Sequence, residues 1–309
     1  MASVLCVGHA VQDYVFSVDA IPATADKHRA RGFSAGGGGP AANAAVAVSR
    51  LGGRAILAAR VGDDRVGREM TDDLTAEGVD ASRVRRFANC RSSVSAVMVD
   101  PRGERMIVNH LDASLPQDPG WLLADLPLGL DAVLGDVRWP AGSAAALSWA
   151  RAEGLPAVLD ADRTRPEDRF VLEAASHVAF SASGLVDYAG SADLEGGARL
   201  AAERLRAWVC VTDGARGACA VDGRSDASRR ARWIGGFSVD AVDTLGAGDV
   251  WHGAFALALG EGRGEDDAVR FANAAAAVKV TRVGGRAGAP NRAETLAFLE
   301  DAKELEPAK

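Results

Sequence analysis

The sequence predicts an α/β fold, a doubly wound and mostly parallel sheet flanked by helices. Short apolar runs bounded by Gly or Asp recur at 4–7, 55–61, 132–134, 157–159, 178–180 and 208–211. Several of these runs are unbroken rather than alternating, as expected for strands that are covered on both faces. Helical patterns, many of them rich in Ala, alternate with the runs at 41–51, 65–77, 142–153, 194–205, 248–259 and 266–281. Strands that alternate with helices form βαβ units and therefore a parallel sheet.

Two segments break this rhythm. Residues 93–100 and 105–109 flank a turn that contains Gly103, a pattern that indicates a β-hairpin. A second, irregular strand pattern covers about 14–33. We expect segments 14–33 and 93–110 to form a small β-sheet lid over the C-terminal edge of the main sheet. Because the sequence shows no linker or internal repeat, we predict one domain over 1–309 with the lid inserted in it.

Composition and charge exclude several classes of function. The 309 residues are 48% hydrophobic and 25% charged, which is typical of a globular domain with a large core. The net charge of -7 argues against nonspecific binding of nucleic acid or membranes, which needs a basic surface. The N-terminus lacks a signal peptide's basic region, and no apolar run approaches the ~18 residues of a membrane span. We therefore expect a soluble cytoplasmic protein with a small-molecule substrate.

The sharpest motif is D-T-L-G-A-G-D-V-W-H-G-A at 243–254. Its glycines, Gly246 and Gly248, free the backbone for a tight turn that presents N–H groups, and an apolar helix follows directly. Such amides at the positive end of a helix form an anion hole. Asp249 could accept a proton from an attacking hydroxyl while the amides of Gly246, Ala247 and Gly248 hold the charge of a transferring phosphoryl group. An isolated Gly-x-Gly would fit a plain turn with Asp249 as a helix cap equally well.

The whole string resembles the C-terminal signature of the ribokinase/PfkB sugar kinases. A second segment is similar to the N-terminal signature of that family, with G-G-G-G-P-A-A-N-A-A at 36–45, R-L-G-G at 50–53 and V-G-D-D-R-V-G at 61–67. The two signatures lie in the expected order. The resemblance implies a ribokinase-like fold and ATP-dependent phosphorylation of a sugar hydroxyl. It also implies Mg²⁺ and a monovalent cation such as K⁺ as cofactors.

The resemblance further implies two groups of binding residues. On the sugar side these are Asp13, Gly38, Gly39 and Asn43. A carboxylate such as Asp13 can accept two hydroxyl hydrogen bonds in a partly buried pocket. On the nucleotide side they are Thr212, Gly214 and Gly217, along the ATP phosphates, and Asn273, in the adenine pocket.

Other interpretations of the nucleotide segments remain open from the residues alone. The turn T-D-G-A-R-G at 212–217 also fits a hairpin, and Asn273 fits a polar helix face. Gly284 and Gly285 resemble the glycine pair near the nucleotide and monovalent-cation region of the family, but they fit a helix C-cap equally well.

The chain departs from the family pattern at two places. Many relatives have Asn where this chain has Pro40, so one usual sugar contact is missing. The N-x-x-E motif that the family ties to magnesium and phosphate should fall near 181–184, where the sequence is S-A-S-G. The sequence therefore identifies no magnesium ligand, and the metal could be held through water or by other carboxylates.

Three polar residues outside the signatures bear on the choice of sugar. Lys27 lies in the first lid segment, Asn109 ends the hairpin, and Arg138 follows the apolar run 132–134. An Arg at the C-terminal end of a parallel strand faces the binding crevice of such sheets. The three side chains together would suit a fixed anionic group. The alternative is that they are unrelated surface residues.

Several runs look most like the sulfofructose kinases of the family, which act in sulfoquinovose breakdown. These runs are S-S-V-S-A-V-M-V-D at 92–100, G-E-R at 103–105, D-V-R-W at 136–139 and T-R-V-G-G-R-A-G at 281–288. The resemblance implies phosphorylation of 6-deoxy-6-sulfofructose at O1, with Lys27, Asn109 and Arg138 on the sulfonate. A fructose-6-phosphate or tagatose-6-phosphate kinase and a ketohexokinase are the alternatives. A nucleotide-binding sensor without catalysis is disfavoured because Asp249 is retained.

The lid segments also predict a homodimer. They carry the apolar residues Val15, Phe16, Val97 and Ile107 on strands that are too few to bury both faces of the lid. Related kinases solve this problem by clasping two lids together. We therefore expect two copies of this chain to associate through the lid.

Overall fold

The computed structural model describes residues 1–225 and 230–302. The strands are β1 (Ser3–Gly8), β2 (Val11–Ser17), β3 (Gly32–Gly38), β4 (Arg54–Gly62), β5 (Asp80–Phe87), β6 (Val94–Val99), β7 (Arg105–His110), β8 (Ala132–Asp136), β9 (Ala157–Ala161), β10 (His177–Ser181), β11 (Trp208–Thr212), β12 (Gly217–Asp222) and β13 (Arg232–Gly235). The α-helices are α1 (Pro40–Arg50), α2 (Arg65–Ala76), α3 (Gly120–Leu123), α4 (Pro140–Ala152), α5 (Phe170–Ala174), α6 (Ala182–Ala189), α7 (Leu194–Leu205), α8 (Ala247–Gly260), α9 (Glu265–Val280) and α10 (Arg292–Asp301).

The main sheet is doubly wound, as predicted. Its strand order is β13-β12-β11-β10-β9-β8-β1-β4-β5, and every pair from β11 to β5 is parallel. Strands β12 and β13 add an antiparallel edge. From β1 the chain proceeds outward through β4 and β5, and it then returns to β8 on the other side of β1. This reversal creates a switch point between β1 and β8, where open α/β sheets bind their ligands.

Helices cover both faces of the main sheet. Val4 and Cys6 of β1 pack into the core formed with α1, α2, α8 and α9, whereas Leu5 and Val7 pack into the core formed with α4 to α7. Because successive residues of a strand point to opposite faces, a strand between two cores is apolar at every position. In the described part of the chain, we find no helix with the length and hydropathy needed to cross a membrane.

The lid is a separate four-stranded sheet with the order β3-β2-β6-β7. The predicted hairpin is present as β6 and β7, and the Asp100 carboxylate holds its turn by accepting from the amides of Arg102 and Glu104. The first lid segment runs from Val11 to Gly38 rather than over 14–33, because the glycine-rich β3 pairs antiparallel with β2. Glycine is depleted in strands, so the pattern alone did not mark β3.

One face of the lid presents an exposed aromatic group. Phe33 is 62% exposed and contacts Tyr14 and Phe16, with ring centroids 6.2 and 5.2 Å away. Val97, one of the residues on which the dimer prediction rests, is buried within the chain, so it is no part of a free surface. Ile107 remains about half exposed. The apolar surface that a second lid could cover is therefore centred on Phe33.

We expect Phe33→Asp to convert a lid-to-lid homodimer into a monomer, because a carboxylate would have to be buried without a partner. Light scattering at micromolar concentration measures the change in mass. Leu128→Asp is the matched control, since Leu128 is 90% exposed but lies outside the lid, before β8. A wild-type protein that is a stable, active monomer would refute the prediction.

Candidate active site

The glycine turn before α8 has a backbone conformation that suits the predicted anion hole. Gly246 adopts a left-handed conformation, with φ 75°, which is costly for residues with a side chain. The amide of Val250 is the first to bond within the helix, to the Gly246 carbonyl at 3.0 Å. The Ala247 amide donates to the Thr244 carbonyl at 3.2 Å, so Ala247 shapes the turn instead of offering a free donor. The amides of Gly248 and Asp249 have no acceptor within the helix and are the ones free to bind an anion.

Asp249 combines a basic carboxylate with a fixed orientation. Its Oδ2 accepts a hydrogen bond of 2.7 Å from Nδ2 of Asn43 on α1. Burial raises the pKa of Asp249 to about 7, and the nearby charge of Asp160 adds to the rise. The hydrogen bond from Asn43 and the proximity of His252 act in the opposite direction. A base with a pKa near the working pH is well matched to accepting a hydroxyl proton.

The pKa of Asp249 predicts a pH dependence of the reaction. Only the ionised carboxylate can accept a proton, so lowering the pH through 7 removes the active form. We expect kcat/KM to fall about tenfold per pH unit below that point and to level off above it. Asn43→Ala should move the inflection to higher pH, because it removes a hydrogen bond that favours the ionised form. A direct assay of ADP formation between pH 5 and 9 would contradict this role for Asp249 if the wild-type inflection lay near 4.

Residues predicted for the sugar side converge at the start of α1. Asp13 lies on β2, and a Cβ at Gly38 would overlap its carboxylate, so glycine is required there. Gly39 caps α1, and Asn43 lies buried in the first turns of the same helix. Burial raises the pKa of Asp13, while the Ser95 hydroxyl and the Arg286 guanidinium oppose the rise. The cluster of Asp13, Gly38, Gly39 and Asn43 is thus connected to Asp249 through the amide of Asn43.

Asn43 carries an unsatisfied acceptor. Its Nδ2 is used by Asp249, but its buried Oδ1 has no hydrogen-bond partner among the described residues. Buried polar atoms are almost always paired, so an orphan beside the Asp249 carboxylate favours a ligand group at this position. A sugar hydroxyl would satisfy it. Pro40, the departure from the family pattern, stands at the first position of α1, where its missing N–H has no role in the helix.

The residues predicted to bind the nucleotide line a mostly apolar cleft, which lies next to the glycine turn before α8. The cleft is bounded by Thr212, Gly214, Gly217 and Asn273, together with Gly248, Phe237, Trp251, Ala277 and Val280. The predicted turn at 212–217 is also a hairpin, since β11 and β12 are antiparallel on either side of it. The hairpin interpretation is therefore confirmed, and contact of the turn with the ATP phosphates stays a prediction.

Asn273 supports the wall of this cleft. Its Oδ1 accepts a bond of 2.7 Å from the indole of Trp251, and its Nδ2 donates to the Gly235 carbonyl at 2.9 Å. These contacts use both ends of the amide. Its Nδ2 also lies 3.4 Å from the Ile234 carbonyl, so the amide is directed at acceptors on β13. Asn273 therefore fixes the positions of Trp251 and β13, and its contact with adenine stays a prediction.

No hydrogen bond within residues 1–225 and 230–302 connects any two of the three residues predicted to hold an anion. Lys27 is exposed in the loop between β2 and β3. Asn109 donates to the Ser95 hydroxyl at 3.0 Å and to the Val94 carbonyl at 3.2 Å. Arg138 follows β8 at the switch point and forms an ion pair of 2.9 Å with Asp162, with 45% of its side chain exposed. An anion bound by all three would compete with Asp162 for the Arg138 guanidinium.

A group of carboxylates beside Asp249 was not predicted from the sequence. Asp136 ends β8, and Asp160 lies near the end of β9, so both stand at strand ends that face the crevice. Burial and the charges of Asp136 and Asp162 raise the pKa of Asp160 well above its usual value. His252 Nδ1 lies 3.5 Å from Asp160 Oδ2. The signal that could have revealed them is the acidic residue that follows each apolar run.

These carboxylates also bear on the metal. Within residues 1–225 and 230–302, there is no group of three or more His, Cys, Asp or Glu side chains that could hold a metal ion. Mg²⁺ does not need such a group, because it is usually held by one or two carboxylates together with phosphates and water. Ser181, in the segment that lacks N-x-x-E, caps α6 and donates to Asp162 at 3.1 Å. Burial is the main cause of the raised pKa of Asp160, and repulsion from Asp136 and Asp162 adds to it, so a cation beside these carboxylates would relieve only the repulsion.

Arg286 is a second residue that sequence reasoning did not single out. It is only 7% exposed, and no hydrogen bond or ion pair of its guanidinium is found among the described residues. The guanidinium lies against Gly37 and lines a pocket together with Asp13, Asp73 and Glu77. Burial lowers its pKa, and the three carboxylates oppose that effect. No spacing rule marks an isolated Arg in a loop, so only the fold reveals this position.

Comparisons with known proteins show similarity to carbohydrate kinases in sequence and in fold. The sequence model described as pfkB family carbohydrate kinase matches residues 1–292. An ATP-dependent ribose-1-phosphate kinase from Halopiger xanaduensis is 30% identical over 97% of this chain and 99% of its own length. An Agrobacterium tumefaciens protein provisionally assigned as a ribokinase has a crystal structure with a TM-score of 0.88 and 36% identity, covering 97% of this chain and 98% of that one. The Vibrio cholerae O395 fructokinase, with bound fructose, ADP and calcium, has a TM-score of 0.75 and 27% identity, covering 97% and 99%.

Proposed function

Because the chain belongs to the pfkB family of carbohydrate kinases, we propose that it phosphorylates 6-deoxy-6-sulfofructose at O1 to give 6-deoxy-6-sulfofructose 1-phosphate. The ATP-dependent carbohydrate kinase activity follows from the family. The choice of an anionic ketohexose rests on one observation, the guanidinium of Arg138 at the switch point between β1 and β8. A neutral sugar has no use for a cation at that position.

Proton transfer in the proposed reaction falls to Asp249. The O1–H bond breaks as the carboxylate takes the proton, O1 attacks the γ-phosphorus, and the bond from that phosphorus to the β-phosphate oxygen breaks to release ADP. The free amides of Gly248 and Asp249 stabilise the charge on the moving phosphoryl group. ATP lies in the apolar cleft along Thr212, Gly214 and Gly217, which leads to these amides.

Sugar orientation would come from the start of α1 and from the lid. Asp13 accepts bonds from sugar hydroxyls, and the unpaired Oδ1 of Asn43 accepts another. Glycines at 38 and 39 allow the sugar to approach the backbone closely. Magnesium would be held by Asp160 and by the phosphates of ATP, with water completing its shell. When bound, the ion neutralises charge on those phosphates.

The sulfonate would lie at the end of the sugar away from Asp249. Arg138 exchanges its ion pair with Asp162 for the sulfonate, and Lys27 and Asn109 approach from the lid. A sulfonate carries a single charge and has no protonatable oxygen near neutral pH. A pocket for it therefore has a use for the neutral amide of Asn109 beside the cations of Arg138 and Lys27. Closure of the lid over the sugar supplies the last two contacts and excludes water from the transfer.

A 6-phosphosugar is the second candidate. The relative from Halopiger xanaduensis is a kinase of a sugar phosphate. Arg138 and Lys27 would serve a phosphate nearly as well as a sulfonate. A ketohexokinase is the third candidate, since the Vibrio cholerae relative binds fructose.

A side-by-side assay of ADP formation with sulfofructose, fructose 6-phosphate, tagatose 6-phosphate and fructose tests the proposal. We expect the highest kcat/KM with sulfofructose. A higher value with either phosphosugar would make that compound the substrate, and a higher value with fructose would remove the need for an anion site.

A further inference from the structure

Lys279 is a wholly buried lysine in the last turn of α9. Its side chain is 0% exposed, although lysines are almost never fully buried without a partner. The ammonium donates to the Asp243 carbonyl at 2.8 Å and reaches the Arg282 carbonyl at 3.5 Å. The Asp243 carboxylate lies 3.8 Å away. The charge is therefore surrounded mainly by oxygen atoms of the backbone.

The same contacts connect two loops beside the anion hole. The Asp243 carboxylate accepts from the amide of Leu245, just before Gly246, and from the amide of Gly284 in the loop that follows α9, each at 2.8 Å. Lys279 binds the Asp243 carbonyl in addition. Since α8 begins directly after Gly246, the position of its free amides depends on this connection.

A monovalent cation would compete for these oxygens. The segment beside Gly284 and Gly285 is the one that resembles the monovalent-cation region of the sugar kinases. Potassium is held in proteins by carbonyl oxygens that replace its water shell. Here such carbonyls already bind an ammonium, and two like charges a few ångströms apart in a buried space repel strongly. The residues present therefore do not fit K⁺.

We propose that the ammonium of Lys279 is a built-in replacement for the monovalent cation, so that this kinase needs no K⁺. Lys279 acts as a positioning residue, because it touches neither sugar nor nucleotide and works through Asp243 and the turn at Gly246. The proposal rests on the kinase activity but not on which sugar is the substrate. Burial lowers the pKa of Lys279 and the charge of Arg105 adds to this, while the charges of Asp243 and Asp249 favour the ammonium form.

The test compares salts at equal ionic strength. Wild-type kinase should turn over equally fast in potassium, sodium and tetramethylammonium chloride. Lys279→Ala removes the charge and leaves space, so it should lose about a hundredfold in kcat in tetramethylammonium chloride through misplacement of the anion hole. Potassium or ammonium chloride should restore much of that loss. Wild-type stimulation by K⁺, or an Lys279→Ala enzyme with full activity in tetramethylammonium chloride, would overturn the proposal.

Two further measurements separate this effect from a general loss of structure. Lys279→Met keeps the volume but provides no charge and no room for an ion, so it should remain slow in every salt. Potassium should raise the Tm of Lys279→Ala and leave the Tm of wild type unchanged, because a ligand that binds only the folded state stabilises it. This thermal test does not depend on the sugar, so it still decides the proposal if none of the sugars tested is a substrate. An equal Tm shift in both proteins would count against it.

Discussion

Asp249→Asn should abolish phosphoryl transfer while ATP binding persists. The amide is nearly isosteric with the carboxylate but cannot accept the proton of O1, and loss of a general base costs ~10²–10⁴ in rate. The apolar cleft proposed to bind ATP is lined by other residues, among them Thr212, Gly217 and Val280. A direct assay of ADP formation measures the rate, and calorimetry measures the affinity for ATP.

Asp267→Asn is the matched control for this variant. Asp267 is an exposed carboxylate in the first turn of α9, outside the site. It should retain wild-type turnover. An Asp249→Asn enzyme with near wild-type kcat would show that another group takes the proton, and Asp249 would then be a helix-start residue that only shapes the turn.

Arg138→Ala should raise KM for sulfofructose steeply and leave KM for ATP nearly unchanged. A hydrogen bond to a charged group is worth ~1.5–3 kcal/mol, which is roughly one to two decades in affinity. The value applies to a partly exposed Arg whose ion pair with Asp162 has to be exchanged, so the lower end is the better expectation. Lys27→Ala and Asn109→Ala should act in the same direction, and their effects should be non-additive because the three share one group.

Arg68→Ala is the control for Arg138→Ala. Arg68 is 53% exposed and is paired with Asp63 at 3.4 Å, so it matches Arg138 in exposure and pairing but lies on α2. Its loss should leave both KM values as they are. If Arg138→Ala reduced turnover of fructose and sulfofructose equally, Arg138 would be structural, and its role would be to hold Asp162.

The main sheet and the glycine turn before α8 could be predicted because each has a strong local cause. Unbroken apolar runs such as 208–211 mark strands buried on both faces, and the glycine turn at 243–249 has a fixed spacing of backbone amides and carboxylate. Strand β3 was harder to predict, because Gly36 and Gly37 have no strand propensity and the strand exists only through pairing with β2.

The features that could not be predicted depend on contacts between distant parts of the chain. The carboxylate of Asp162 pairs with Arg138 across 24 positions, and Lys279 reaches Asp243 across 36. Burial of Arg286 likewise depends on how its loop packs beneath β3. Such pairs have no periodic signature, so a single sequence shows the charged residues but not which of them meet. The proposal of an anionic substrate came from residue type, whereas the ion pair that competes for Arg138 could not be predicted from the sequence.

A crystal structure with sulfofructose and a non-hydrolysable ATP analogue tests the central claim most directly. The account predicts O1 of the sugar within hydrogen-bond distance of the Asp249 carboxylate. It also predicts the sulfonate on Arg138, with Asp162 released and Lys27 and Asn109 drawn in by the lid. A sulfonate bound instead by the guanidinium of Arg286 beside Asp13, with Arg138 still on Asp162, would contradict it.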